Sequence, residues 1–172
     1  AYGFACIRFP GRDKLFAVYL FTLMMPGFLN IIPQFLVLKQ LTLPGLPNGL
    51  IGTRAGLILV YTGTMAVFSL WNTKGYFDTI PTEIEEAARM DGATDVQIVL
   101  QIVMPLAKPS IVTTALQVLI YVWNEYIYAT TFLTGEAKYT LAAGLNALQA
   151  TEMTGSWPVF SAAAITVSLP VL

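Results

Sequence analysis

The residues of this chain that could do chemistry are few, and most lie in one stretch. Glu83, Glu85, Glu86 and Asp91 sit together near the start of "PTEIEEAARMDGATDVQIVLQIVMPLAKPS", residues 81–110, with Arg89 among them. One more carboxylate, Glu125, is the only ionisable residue of a long apolar run. The chain has no His and a single Cys, Cys6. That removes His acid–base chemistry, zinc sites, internal disulfides and Cys–His nucleophiles together. No G-x-x-x-x-G-K-[ST] phosphate loop is present, so ATP hydrolysis by that route is excluded. No catalytic residue and no metal ligand is assigned, and the chain is expected to bind no cofactor itself. Ion pairing, hydrogen bonding and helix capping are what the carboxylates can offer.

The 81–110 stretch reads as two short helices around a corner. Thr82 and Glu85 have the spacing of a capping box. Glu83, Glu85 and Glu86 fall in a first turn, where the helix dipole favours negative charge. Ile84, Ala87 and Ala88 give a small apolar face at i, i+3, i+4. Gly92 supplies the left-handed conformation that ends the helix. Thr94 and Gln97 form a second capping box, opening a helix to about Val103 that Pro105 and Pro109 close.

The surrounding sequence belongs to a membrane. Hydrophobic residues make up 56% and charged residues 11%, against about a quarter charged in a soluble domain; mean hydropathy is +0.67. A formal net charge of −1 without a basic stripe gives no case for nucleic acid. Leu15–Leu38 is uncharged and as a helix would reach roughly 36 Å, enough for a core of about 30 Å. Pro26 and Pro33 inside it are kinks of the kind tolerated within a helical bundle. Leu41–Thr53, with two prolines and three glycines, is a loop. Ala55–Thr73 is a second span. A third runs from about Pro109 to Leu133, interrupted by Glu125. Leu141–Ala150 follows as a short helix outside the membrane, and Trp157–Leu172 opens a fourth span. The first few residues read as the end of an earlier span, and both ends as interior to a longer polypeptide. No signal peptide is expected at Ala1, because Arg8, Arg12 and Lys14 follow the short apolar opening. Alternation of sides puts Arg8, Arg12, Lys14, Lys74, Arg89 and Lys108 together and leaves Lys39, Arg54 and Lys138 opposite. The positive-inside rule then makes 81–105 a cytoplasmic loop.

The pattern in that loop is specific. Glu86-Ala87-Ala88, three residues, Gly92, nine residues and Ile102-x-Met104-Pro105 resembles the EAA loop of ATP-binding-cassette importer permeases, with Met104 where that motif has Leu. "MMPGFLNIIPQFLVLKQLTL", "AVFSLWNTKGYFDTIPTEIEEAA" and "MPLAKPSI" resemble the sugar-importing, maltose-type branch lacking a large extra domain. The resemblance covers essentially the whole chain. It implies an all-α membrane protein, a polytopic helical bundle of the type I importer kind. Residues 1–172 would be a single permease domain, from the end of span two to the start of span six. It also implies partners: a second homologous permease subunit, two ATP-binding-cassette ATPase subunits, an extracytoplasmic solute-binding protein and the lipid of a bacterial or archaeal inner membrane. In this family the EAA loop docks on the ATPase, which assigns coupling to Glu86, Ala87, Ala88, Asp91, Gly92, Ala93, Ile102 and Pro105. ATP-driven closure of the ATPases would push two such loops together and switch the pathway between its two sides. Small Ala87 and Ala88 would allow close approach, and Glu86 would pair with basic groups of the partner.

Glu125 lies in "YVWNEYIYATTF". An intramembrane carboxylate is a functional candidate by default; equally, Glu125 could sit at the outer headgroup boundary with Trp123, Tyr126 and Tyr128 as an aromatic belt. Both readings stand. On the first, Trp123, Asn124, Glu125 and Tyr128 line a substrate pathway, since sugars stack on rings and bond to amides and carboxylates. Met24 and Met25 are read as bundle packing, Asn30 and Asn72 as polar groups satisfied between helices, and Cys6 as an inert buried thiol. The competing functions are an importer of a non-sugar solute, a membrane-embedded enzyme, for which Glu125 alone supplies no catalytic cluster, and a soluble helical interaction protein, against which the uncharged runs argue.

Overall fold

The computed structural model describes residues 1–41, 49–151 and 157–171, so residues 42–48 of the expected Leu41–Thr53 loop lie outside the described residues. It is all-α, with no strand among those residues: α1 (Tyr2–Ala5), α2 (Arg12–Met24), α3 (Gly27–Gln40), α4 (Arg54–Phe77), α5 (Thr82–Met90), α6 (Asp95–Gln97), a π turn (Ile98–Val103), α7 (Met104–Leu106), α8 (Lys108–Asn124), α9 (Ile127–Phe132), a short 3-10 turn (Glu136–Lys138), α10 (Leu141–Thr151) and α11 (Trp157–Ser168). Among the described residues α4 alone is long and apolar enough to cross a membrane unaided. Two bent pairs, α2 with α3 and the 95–106 segment with α8, reach that length together.

The chain divides into two compact units. One comprises Ala1–Met25 and Thr64–Val118, the other Pro26–Gly63 and Leu119–Leu172. The first is built around Phe77, Ala88, Ile98, Val103 and Ala107, with Tyr2, Ala5, Tyr76 and Ile102 packed against them. The second is built around Leu38, Leu57, Val60, Tyr61, Tyr128, Phe132 and Leu133. Polar groups within the first unit are paired as membrane helices require: Asn72 Nδ2 donates to Thr114 Oγ1 at 2.7 Å, and Thr114 Oγ1 to Ser110 O at 2.7 Å.

Several expected elements are corrected. The Leu15–Leu38 run is two helices rather than one kinked span. Met25 is extended, with φ −74° and ψ 128°, because the ring of Pro26 disfavours the α conformation in the residue before it. Pro33 stays inside α3. The third span likewise ends early, at Asn124, and the chain restarts as α9 after Glu125 and Tyr126. The first capping box does not form. Pro81 is the N-cap and has no N–H for an acidic side chain to reach, and no side chain caps α5. The second box, Thr94 with Gln97, is present in both directions. The helix it opens passes through the π turn to Val103 and continues beyond it as α7. The final helix ends at Ser168.

Candidate functional site

Gly92 makes the corner between α5 and α6 with φ +83°. Nothing lies within 4 Å of where its Cβ would be, so backbone conformation alone asks for glycine. Arg89 spans the corner, its Nη2 lying 3.3 Å from Asp95 Oδ1. Beyond the capping box, hydrogen bonds of i→i+5 type widen the turn and bring residues five apart towards one face. This is why Ile98 and Val103, which ordinary α winding would point in different directions, are both fully buried. Met104 N–H closes the turn on Val99 O. The next bond of that ladder would need an N–H that Pro105 lacks.

The loop is fastened to its unit on the inner side. Tyr2 Oη donates to Glu85 Oε2 at 3.2 Å and its ring meets Phe77 edge-on, with centroids 6.1 Å apart. Tyr76 Oη donates to Leu106 O at 3.0 Å. Glu85 is thus the inward carboxylate, drawn to Tyr2 rather than back to the start of α5. Burial first, then the neighbouring Glu85 carboxylate, pushes the Cys6 thiol up to about 11. Cys6 is half-buried.

Of the eight loop residues singled out in the sequence, Glu86, Ala87, Asp91, Gly92 and Pro105 are exposed, Ala93 and Ile102 are half-buried and Ala88 is buried. The expected Ile84/Ala87/Ala88 face is therefore corrected: Ala88 packs into the core while Ala87 faces out. Sequence reasoning missed Met90, which is 89% exposed. It follows Glu86 and Ala87 by four and three residues, so helical spacing puts it on their open face. The result is an apolar tip, Ala87 and Met90, rimmed by Glu83, Glu86 and Asp91, on a scaffold held by buried side chains.

The second candidate site lies in the other unit, where α8 breaks. Glu125 Oε1 accepts from Tyr128 N–H at 2.8 Å, and Oε2 from Ala129 N–H at 3.3 Å and from Tyr61 Oη at 2.6 Å. The carboxylate therefore satisfies donors at the start of α9, where partial positive charge collects. Tyr61 lies 64 residues away in sequence, and no local signal pointed to it. Of the four residues proposed for a substrate pathway, Asn124, Glu125 and Tyr128 line one cavity, while Trp123 lines another that it shares with Asn124. Tyr128 is buried, stacked on Phe132 with centroids 5.9 Å apart, and its hydroxyl donates to Gly27 O at 3.0 Å. Trp123 Nε1 donates to Val167 O at 3.0 Å. Asn124 is exposed, with Nδ2 on Ile120 O at 2.8 Å. A cavity of about 460 Å³ opens beside the break, lined among others by Phe28, Tyr121, Asn124, Glu125 and Tyr126.

Among the described residues no group of three or more Cys, Asp or Glu side chains is arranged to hold a metal ion.

Comparison with known proteins agrees with this architecture. Residues 5–172 match the family described as "Binding-protein-dependent transport system inner membrane component". The inner membrane ABC transporter permease protein YcjP of Escherichia coli (strain K12) is 34% identical over 172 residues, which is 100% of this chain and 59% of the relative. The galactooligosaccharides transport system permease protein GanQ of Bacillus subtilis (strain 168) is 34% identical over 99% of this chain and 58% of its own length. The maltose/maltodextrin transport system permease protein MalG of Escherichia coli (strain K12) is 33% identical over 99% and 57%. The chain thus spans somewhat under 60% of the length of these curated relatives. Among solved structures, a bacterial ABC transporter involved in the import of the acidic polysaccharide alginate superposes with a TM-score of 0.77 at 29% identity. The match covers 99% of this chain and 61% of that one.

Proposed function

This chain belongs to the binding-protein-dependent transport system inner membrane components, and from that premise we propose that it is part of the permease subunit of an ATP-driven sugar importer, coupled to its ATPase through the 81–105 loop. The observation that carries this reading is the exposed tip of Ala87, Met90 and Gly92, with its acidic rim, set on a buried framework of Ala88, Ile98 and Val103. A rigid protrusion with a small apolar tip fits a groove with basic edges on a partner. The inward contacts of Glu85 with Tyr2 and of Tyr76 with Leu106 would carry force from that groove to α1 and α4. The loop would face the cytoplasm, as its positive flanks suggest. The partners would be two ATPase subunits, a second homologous permease and an external solute-binding protein, and hydrolysis would belong to the ATPases. The sugar reading draws on relatives named for galactooligosaccharides and for maltose and maltodextrin.

The test is to co-express the full-length parent with its ATPase and partner permease, purify in detergent, and compare wild type with Glu86→Lys. Wild type is expected to bring the ATPase along, and the variant to lose most of it at unchanged membrane yield. A wild-type chain that purifies without ATPase would overturn the reading.

A further inference from the structure

A second cavity, of about 460 Å³, lies wholly within the unit that contains Glu125, walled by the end of α8, by α10 and by α11. Three side-chain amides face it, from Asn124, Asn146 and Gln149, and three rings, from Trp123, Tyr126 and Phe160. Among the described residues no Asp, Glu, Lys or Arg lines it. Glu125, next to Asn124 in sequence, is committed instead to Tyr61 and the start of α9. Asn146 and Gln149 are three residues apart on α10, so helical spacing brings both amides to one face.

We infer that this cavity is a binding subsite for an uncharged, polyhydroxylated ligand, a neutral saccharide unit, and that Asn146 and Gln149 are its main polar contacts. An amide both donates and accepts, as a sugar hydroxyl does, so two or three amides can match several hydroxyls without a net charge. Asn124 keeps its Oδ1 for this, its Nδ2 being held by Ile120 O. The rings supply flat apolar faces for the C–H faces of a pyranose. Trp123 is the fixed one, because its indole N–H is tied to Val167 O. The volume falls within the ~300–1,000 Å³ usual for small-molecule sites. Acidic sugars are disfavoured here: a carboxylate entering this space would shed water and meet no cation, which is costly. The inference rests on the importer reading for its biological setting, and it fixes the charge class of the solute at this site.

The test uses the full-length chain in its assembled complex, in lipid nanodiscs, with radiolabelled maltose, trehalose and cellobiose as neutral probes and digalacturonate as the acidic one. At least one neutral disaccharide is expected to bind. Replacing Asn146 and Gln149 together by Ala should raise its Kd at least tenfold, and digalacturonate should bind at least tenfold more weakly. Since the double variant could fold poorly, Gln149→Cys in a background without other accessible cysteines gives a second readout. The bound neutral probe should slow its alkylation by maleimide, and digalacturonate should not. Failure of all neutral probes to bind, a Kd indifferent to both amides, or equal protection by digalacturonate would each overturn the proposal. A complex that forms without ATPase would count against the importer reading instead, and binding to the full-length chain would still decide the cavity's chemistry.

Discussion

The carboxylates of this chain resemble one another in sequence and differ in what they touch. Glu86 is exposed on the open face of α5, whereas Glu85, one residue earlier, turns inward to Tyr2 and Cys6. With the thiol pushed up to about 11, its reactive thiolate is about a hundredfold scarcer near neutral pH than at the ordinary value of 9. Maleimide labelling of Cys6 is expected to be correspondingly slow at pH 7.5, to quicken as pH rises towards 11, and to speed up in Glu85→Ala, which removes an acceptor and a negative charge. Glu125 is a different case. Its three donors make it a structural joint, so Glu125→Ala leaves two backbone N–H groups and the Tyr61 hydroxyl without partners. A loss of about 1–3 kcal/mol is expected, read as a lower melting temperature in detergent. Glu125→Gln, which keeps an acceptor, should lose less. A Glu125→Ala protein that melts with wild type would show that the carboxylate is not needed for the break between α8 and α9.

At the scale of elements, legibility followed local rules and stopped where distant contacts decided. The Gly92 corner and the Thr94/Gln97 box were readable because each is fixed by residues within four positions. The Met25–Pro26 break was less so. The sequence shows the proline, but a kinked helix and a broken one differ in how the surroundings satisfy the freed backbone groups. The side on which Ala88 lies was misread: Ile84, Ala87 and Ala88 read as one face, but Ala88 turns into the core and only Ala87 faces out. Nothing in an α-periodic reading announces the π turn, because it brings residues five apart towards one face. Its energetics are testable. Ile98 is completely buried, so Ile98→Ala should cost about 2–5 kcal/mol, whereas exposed Leu100 in the same turn should tolerate Ala within about 0.5 kcal/mol. Thermal unfolding of the full-length protein in detergent would distinguish them, and equal losses would mean the turn is packed as an ordinary helix.

For the molecule as a whole, composition indicated the membrane setting, since so few charges cannot clothe a water-facing surface, while the all-α bundle was what the family resemblance implied. The structure adds where the apolar surface lies: Val18, Phe21 and Met24 on α2 and Phe28 and Ile32 on α3 are largely exposed. Such side chains in number call for lipid or a partner subunit. The purified full-length protein is therefore expected to sediment as aggregate when detergent is withdrawn, and a monodisperse, detergent-free species would contradict the membrane reading. The proposed saccharide site was the least legible. Its walls come from α8, α10 and α11, and only folding brings Asn124 within reach of Asn146 and Gln149. In length, the π turn is a stored insertion, one residue more than an α turn needs. Removing one residue there would leave a continuous α-helix, whereas removing one from α4 would swing every following side chain through about 100°. The chain thus has a place where its residue count can fall by one with its winding kept, in the middle of the stretch whose spacing carries the family likeness.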